Sequence, residues 1–184
     1  MLSILTSITL SAQMLKPAVK NNVFEDSLNM VVTDFKNNFT NIQGSNLLAD
    51  IDAEAYQSNI CLPGATHCII MRYHSLVDKS ASWQATFYSG EDYQEALKAY
   101  KKIFSQLKKT KLKGINGTTS SFEGNMEIPD ENVRFAVSSF VLKSPDMGYA
   151  NFAADVELIN NYDGWEVHLN MYKKKKDTDG GHIQ

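Results

Sequence analysis

Residues 93–107, Tyr-Gln-Glu-Ala-Leu-Lys-Ala-Tyr-Lys-Lys-Ile-Phe-Ser-Gln-Leu, set apolar side chains at 93, 96, 97, 100, 103, 104 and 107. That spacing follows the 3.6-residue period and predicts an amphipathic helix over about 91–109. Lys98, Lys101, Lys102, Lys108 and Lys109 fall off the apolar stripe and crowd toward the C-terminal end, where cations suit the helix dipole. Ser89-Gly90-Glu91-Asp92 supplies the turn and cap in front. The same stripe occurs earlier in the chain. Leu28, Val31, Val32, Phe35, Phe39 and Ile42 precede Tyr93, Ala96, Leu97, Tyr100, Phe104 and Leu107 by 65 residues each. Downstream, Tyr56, Asn59, Ile60, Leu62 and Pro63 precede Phe122, Asn125, Met126, Ile128 and Pro129 by 66. These two registers predict a duplication, the feature to look for first because it fixes architecture.

Working outward, a first helix is expected over 24–42, closed by Gln43-Gly44-Ser45, with 46–53 as a connector. Strands are expected over 54–62, 67–75 and 81–87, then over 119–128, 132–143, 149–159 and 165–172. His67, Ile69, Met71 and Tyr73 alternate onto one face; so do Val133, Phe135, Val137 and Val141, then Phe152, Ala154, Val156 and Leu158, then Trp165, Val167, Leu169 and Met171. The fold class that follows is α+β: tandem helix–strand–strand–strand units in one antiparallel sheet, both helices on one face, with an extra C-terminal strand. The expected organisation is a truncated signal peptide at 1–12, a linker at 13–23, units at 24–88 and 89–172 forming one joint domain, and a disordered tail at 173–184. The element order is similar to secretion-chaperone-like, PepSY-like and β-lactamase-inhibitor-like tandem domains, whose diagnostic motifs are absent from the chain. Fold of this kind does not carry function across.

The 184-residue chain is 43% hydrophobic and 21% charged, the balance of a globular protein with a core of its own. A net charge of −3 points to neither nucleic acid nor an anionic membrane as partner. Residues 2–12 are apolar and hydroxyl-rich but too short to cross a bilayer. They match the apolar region and small-residue end of a secretory signal, with cleavage expected between Ala12 and Gln13, although the basic leader is missing. The expected location is therefore exported, periplasmic or secreted, with no transmembrane segment. Cys61 and Cys68, the only cysteines, read as a disulfide in that setting. A four-residue hairpin loop at 63–66 would place them opposite each other on paired strands, and two free thiols are the alternative.

No metal, cofactor or phosphate-loop motif is present. His67, His74, His168 and His182 lack metal-ligand spacing, and His67 belongs to the stripe expected to face the core. His74, Asp78 and Ser80 are explained as exposed turn residues without a nucleophile elbow. Asp155, Glu157 and Glu166 could gather on one sheet face across the final hairpin, where solvation is the plainer account of strand acids. The sheet face away from the helices is the one region with a functional argument. By alternation it is expected to present Arg72, His74, Tyr88, Arg134, Phe140, Leu142, His168 and Tyr172, a mixture that protein-binding surfaces enrich. The function expected is that of a small exported, non-catalytic binding or accessory protein, a monomer or homodimer. It would hold a protein or peptide on that face or along an edge strand, with 165–172 the first edge candidate. The alternatives are an envelope-associated module that assembles with itself and, last, an unrecognised hydrolase.

Overall fold

The computed structural model describes residues 23–74, 79–114 and 117–175. The segment expected as a signal peptide at 1–12, most of those expected as a linker at 13–23 and a tail at 173–184, and Asp78 lie outside the described residues, while Val23 opens the first helix and Lys173 ends the last strand.

Helix α1 (Val23–Asp34) is followed by strands β1 (Gln43–Ala49), β2 (Ala53–Ser58), β3 (His67–Tyr73) and β4 (Ala81–Gly90). Helix α2 (Tyr93–Lys109) leads into β5 (Lys111–Lys113), β6 (Thr119–Gly124), β7 (Phe135–Lys143), β8 (Phe152–Asn161) and β9 (Gly164–Lys173). The nine strands form one antiparallel sheet in the order β1-β2-β3-β4-β9-β8-β7-β6-β5, so the fold is α+β. Each half starts with a helix, enters at an outer edge and meanders inward. The halves meet at β9, which pairs β4 on one side and β8 on the other.

Helix α2 forms where the stripe placed it. Asp92 caps it by accepting from the amides of Gln94 at 2.8 Å and Glu95 at 3.2 Å. Helix α1 is shorter than the expected 24–42. It tightens into a 3₁₀ turn at Phe35–Asn37, and Asn38 and Phe39 then take positive φ of 54° and 56°. The buried Asp34 carboxylate fixes this exit by accepting from the amides of Asn41 at 3.0 Å and Ile42 at 3.1 Å, two donors that a longer helix would have used internally. Gln43-Gly44-Ser45 consequently opens β1 instead of ending a helix. Strands β1 and β5 fall in segments where no strand was expected, because both are edges with little apolar patterning.

The core lies on one face. Phe35 packs edge-on against Phe152, with ring centroids 4.9 Å apart; Tyr93 packs on Trp165 and Phe104 on Phe140, each at 4.8 Å. The strand register puts Phe152, Phe140 and Trp165 on the same side, so both helices cover that side. Trp83 is wholly buried there, and its indole donates to Ser58 Oγ at 2.9 Å. The Tyr100 hydroxyl reaches Ser138 Oγ at 2.6 Å, which accounts for a serine inside the core.

Two strands lie the other way over from the expectation. On β3, Cys68, Ile70 and Arg72 face the helices and His67, Ile69, Met71 and Tyr73 face away. On β7, Ala136, Ser138, Phe140 and Leu142 face the helices and Phe135, Val137 and Val141 face away. The residue-by-residue duplication is not confirmed: Phe39 sits in the left-handed turn after α1, whereas its partner Phe104 is inside α2.

Candidate functional site

The face away from the helices follows from what the core demands. Val156, Leu158, Val167, Leu169, Met171, Trp83 and Ala85 turn inward, so pleating turns Asp155, Glu157, His168, Asn170, Tyr172, Gln84 and Thr86 outward. Register then aligns them in rows across four neighbouring strands. One row runs Glu157, His168, Thr86, His67; the next runs Asp155, Asn170, Gln84, Ile69. Asp155, Glu157 and Glu166 do share this face, on the β8–β9 hairpin.

His168, Thr86 and His67 of the first row form a hydrogen-bonded chain with Glu166. His168 Nε2 lies 2.9 Å from Glu166 Oε2, and Thr86 Oγ1 lies 3.1 Å from His168 Nδ1 and 3.1 Å from His67 Nε2. Glu166 can only accept, so in the neutral ring Nε2 carries the proton and Nδ1 accepts from Thr86. The threonine oxygen then accepts from His67. Carboxylate, imidazole and hydroxyl stand in the order of a nucleophilic triad. Thr86, however, is only 2% exposed and its hydroxyl is held between two imidazoles, so no substrate reaches it in this arrangement.

The second row opens on a cleft of about 450 Å³. Asp155, Glu157, Asn170, Gln84 and Tyr172 line it, with Met71 and Tyr73 at one side. The Tyr172 hydroxyl donates to Asp155 Oδ2 at 2.7 Å. Burial, reinforced by that bond and by the Asp155 charge, pushes the Tyr172 phenol well above the usual tyrosine range. Burial likewise raises Glu157 above an ordinary glutamate; a hydrogen bond from Asn170 opposes the shift and the Asp155 charge adds to it. Asp155 is 9% exposed, and its Oδ1 has no hydrogen-bond partner among the described residues. A larger cleft of about 620 Å³ lies between α1 and the ends of β5–β7; of its three charged residues, Lys36 and Asp146 pair with each other at 2.9 Å and Lys113 is the third.

The residues expected on the open face divide. His168 and Tyr172 are there. Phe140, 1% exposed, and Leu142 are core residues beneath the helices, a correction that follows from the β7 register. Arg72 also faces the helix side, where it donates to Gln43 Oε1 at 2.6 Å and to the Asn38 carbonyl at 3.0 Å, tying β3 to the turn after α1. A bulge between Thr86 and Tyr88 turns Tyr88 inward, and its hydroxyl accepts from the Asp92 amide at 3.1 Å. His74 lies past the end of β3 and bonds the Ile51 carbonyl through Nδ1 at 2.8 Å; Arg134 is exposed ahead of β7. His67 faces the open side, not the core. Gln84, Thr86 and Asn170 are not singled out from sequence, whereas Asp155 and Glu157 are named there as acids that could share one sheet face, with solvation as the plainer account.

Cys61 and Cys68 form a disulfide with Cα atoms 5.4 Å apart. Strand β2 stops at Ser58, so the bond ties the β2–β3 connection to β3 instead of joining two paired strand residues. Strand β9 is the centre of the sheet, so 165–172 offers no free edge; the edges are β1 and β5. Among the described residues no helix is long and apolar enough to cross a membrane, and no cluster of three or more His, Cys, Asp or Glu could hold a metal ion. No protein-family model, curated protein or solved structure matches the chain.

Proposed function

We propose that this is a non-catalytic, exported binding protein that holds a protein or peptide partner in the cleft on its open sheet face. The observation that carries the reading is the pairing of a 450 Å³ cleft with a buried carboxylate oxygen lacking a partner. A plainly solvated sheet face exposes its acids to water; this one buries Asp155 and half-buries Glu157. The disulfide supports an oxidising, exported setting. The order of elements, helix then edge then inward meander in both halves, supports descent from one duplicated unit.

Selection of peptides on the immobilised oxidised protein tests the reading, with Gln84→Arg as the counter-target that fills the cleft from its central strand. Peptides that bind the parent protein and not the Gln84→Arg variant are the expected result. A selection whose binders ignore the substitution, or that yields no binders, would overturn the reading.

A second reading, self-assembly through an edge, is favoured by β1. That strand is uncharged, and Leu47 and Leu48 are 55% and 60% exposed, whereas the opposite edge β5 is three residues long and carries Lys111 and Lys113. Sedimentation equilibrium distinguishes the two: a dimer abolished by Leu47→Lys and Leu48→Lys belongs to this second reading.

A further inference from the structure

We infer that His67, Thr86 and His168 form a proton relay: the two imidazoles hold one added proton between them, and the Thr86 hydroxyl passes it across the seam where the halves of the sheet meet.

The inference follows from counting hydrogens. The chain from Glu166 through His168 and Thr86 continues beyond His67. His67 Nδ1 lies 3.2 Å from Thr66 Oγ1, and the Thr66 hydroxyl donates to the Thr86 carbonyl at 3.1 Å. Five contacts therefore run from the Glu166 carboxylate to the Thr86 carbonyl, and each needs one hydrogen. Two neutral imidazoles and two hydroxyls supply four. One added proton completes the set, in either of two arrangements.

In the first, His67 is the cation. Its Nδ1–H points to Thr66, its Nε2–H to Thr86, and the Thr86 hydroxyl to His168 Nδ1. In the second, His168 is the cation. Its Nδ1–H points to Thr86, the Thr86 hydroxyl points to His67 Nε2, and His67 keeps only its Nδ1–H. The two interconvert when the Nε2 proton of His67 passes to Thr86 Oγ1 while the hydroxyl's own proton passes to His168 Nδ1. The net charge is unchanged by that exchange, and every other bond stays as it was.

Burial gives the relay a direction. His67 is exposed and is where a solvent proton enters, whereas His168 is 8% exposed and Thr86 2%. The acids stand at the buried end. Glu166 holds His168 Nε2, Glu157 lies directly opposite His168 on β8, and Asp155 stands one row further on. Around His67 there is no such charge: β4 contributes Gln84 and Thr86, and residues 59–66 carry no ionisable side chain besides the disulfide-bonded Cys61. A second proton has no comparable place. Both rings would then donate to Thr86 Oγ1, setting two cations on one oxygen and leaving a buried hydroxyl hydrogen without an acceptor in the chain. The row thus gains one charge, not two, over the range of about pH 5–8 in which imidazoles titrate. His67 and Thr86 belong to the first half and His168 to β9, so that proton resets hydrogen bonding across the β4–β9 seam.

The test is a pH titration of the oxidised protein followed by NMR at the imidazole Cε1–H signals. His67 and His168 should move together over one pH interval, with any second step about one pH unit or more lower. His74, which bonds the Ile51 carbonyl outside the chain, should follow its own curve. Thr86→Val keeps the side-chain shape and removes the relay, so the two rings should then give separate curves. Thr86→Ser keeps a hydroxyl and should keep the common interval. His67→Gln, at an exposed position, should displace the His168 curve by about one pH unit, and it decides the matter alone if Thr86→Val does not fold. Independent curves in the parent protein, a common interval that survives Thr86→Val, a Thr86→Ser variant that behaves like Thr86→Val, or a His168 curve unmoved in His67→Gln would overturn the inference.

Discussion

The Tyr172 hydroxyl donates to Oδ2 of Asp155 at 2.7 Å, joining β9 to β8 on the side of the sheet away from α1 and α2. The bond satisfies one oxygen of a carboxylate whose other oxygen has no partner among the described residues. Tyr172→Phe removes that donor and leaves Asp155 enclosed without any. The expected loss is about 1–3 kcal/mol in urea unfolding at neutral pH. The same substitution has an alkaline signature. The phenol is held neutral in the native state, so its contribution is complete below the ordinary tyrosine pKa of 10.0 and is lost as the unfolded chain ionises above it. The alkaline fall in stability should be shallower in Tyr172→Phe than in the parent protein.

Glu157 carries the opposite lesson about charge. Its carboxyl is raised by burial, so the native state favours the protonated form. That contribution is complete below the ordinary value of 4.5 and is lost as pH rises through the higher native value. Glu157→Gln should therefore raise the urea midpoint at neutral pH and converge with the parent protein below pH 4.5. A variant less stable at neutral pH would show that the charge is compensated in the native state.

The disulfide closes a short loop, Cys61 to Cys68 being seven residues apart, so the chain-entropy estimate gives about 2–3 kcal/mol. Oxidised protein should contain no titratable thiol, and reduction should lower the unfolding free energy by that amount. Two titratable thiols in protein recovered from the exported fraction would contradict the Cys61–Cys68 pairing.

Helix-facing residues must behave as core. Phe140→Ala should cost about 3–5 kcal/mol and Leu142→Ala about 2–5 kcal/mol in chemical denaturation. Gln84→Ala, on the open face, should stay within about 0.5 kcal/mol of the parent protein. Near-neutral Phe140→Ala and Leu142→Ala would mean that β7 has been set one residue out of register.

What the sequence reveals of this fold depends on how one-sided each element is. Helix α2 is legible because its apolar and lysine faces are cleanly separated. Strands β8 and β9 are legible because Val156, Leu158, Val167, Leu169 and Met171 alternate with polar residues. Strand β3 is ambiguous: Ile69 and Met71 are half-buried on the open side while Ile70 and Cys68 are buried on the other, so both alternations look apolar. In β7 the inward set includes Ser138, and only its bond to Tyr100, 38 residues away, makes a serine acceptable in the core. The end of α1 depends on Asp34 turning back to the amides of Asn41 and Ile42, which helical periodicity does not encode. Gln84, Thr86 and Asn170 are missed for a related reason, although His168, Tyr172, Asp155 and Glu157 are named. The rows of the site exist only across four strands, and no local motif records which residues cross-strand register will bring together.

The claim that the open face holds the partner is tested most directly by methionine-methyl NMR of the oxidised protein with a selected peptide added to saturation. Met71 lines the cleft, while Met30, Met126 and Met147 are exposed, at 51%, 39% and 81%, away from the cleft lining. A large shift of the Met71 methyl, with the other three unmoved, is the result expected. A stationary Met71 beside shifts at Met30, Met126 or Met147 would place the partner elsewhere and contradict the claim.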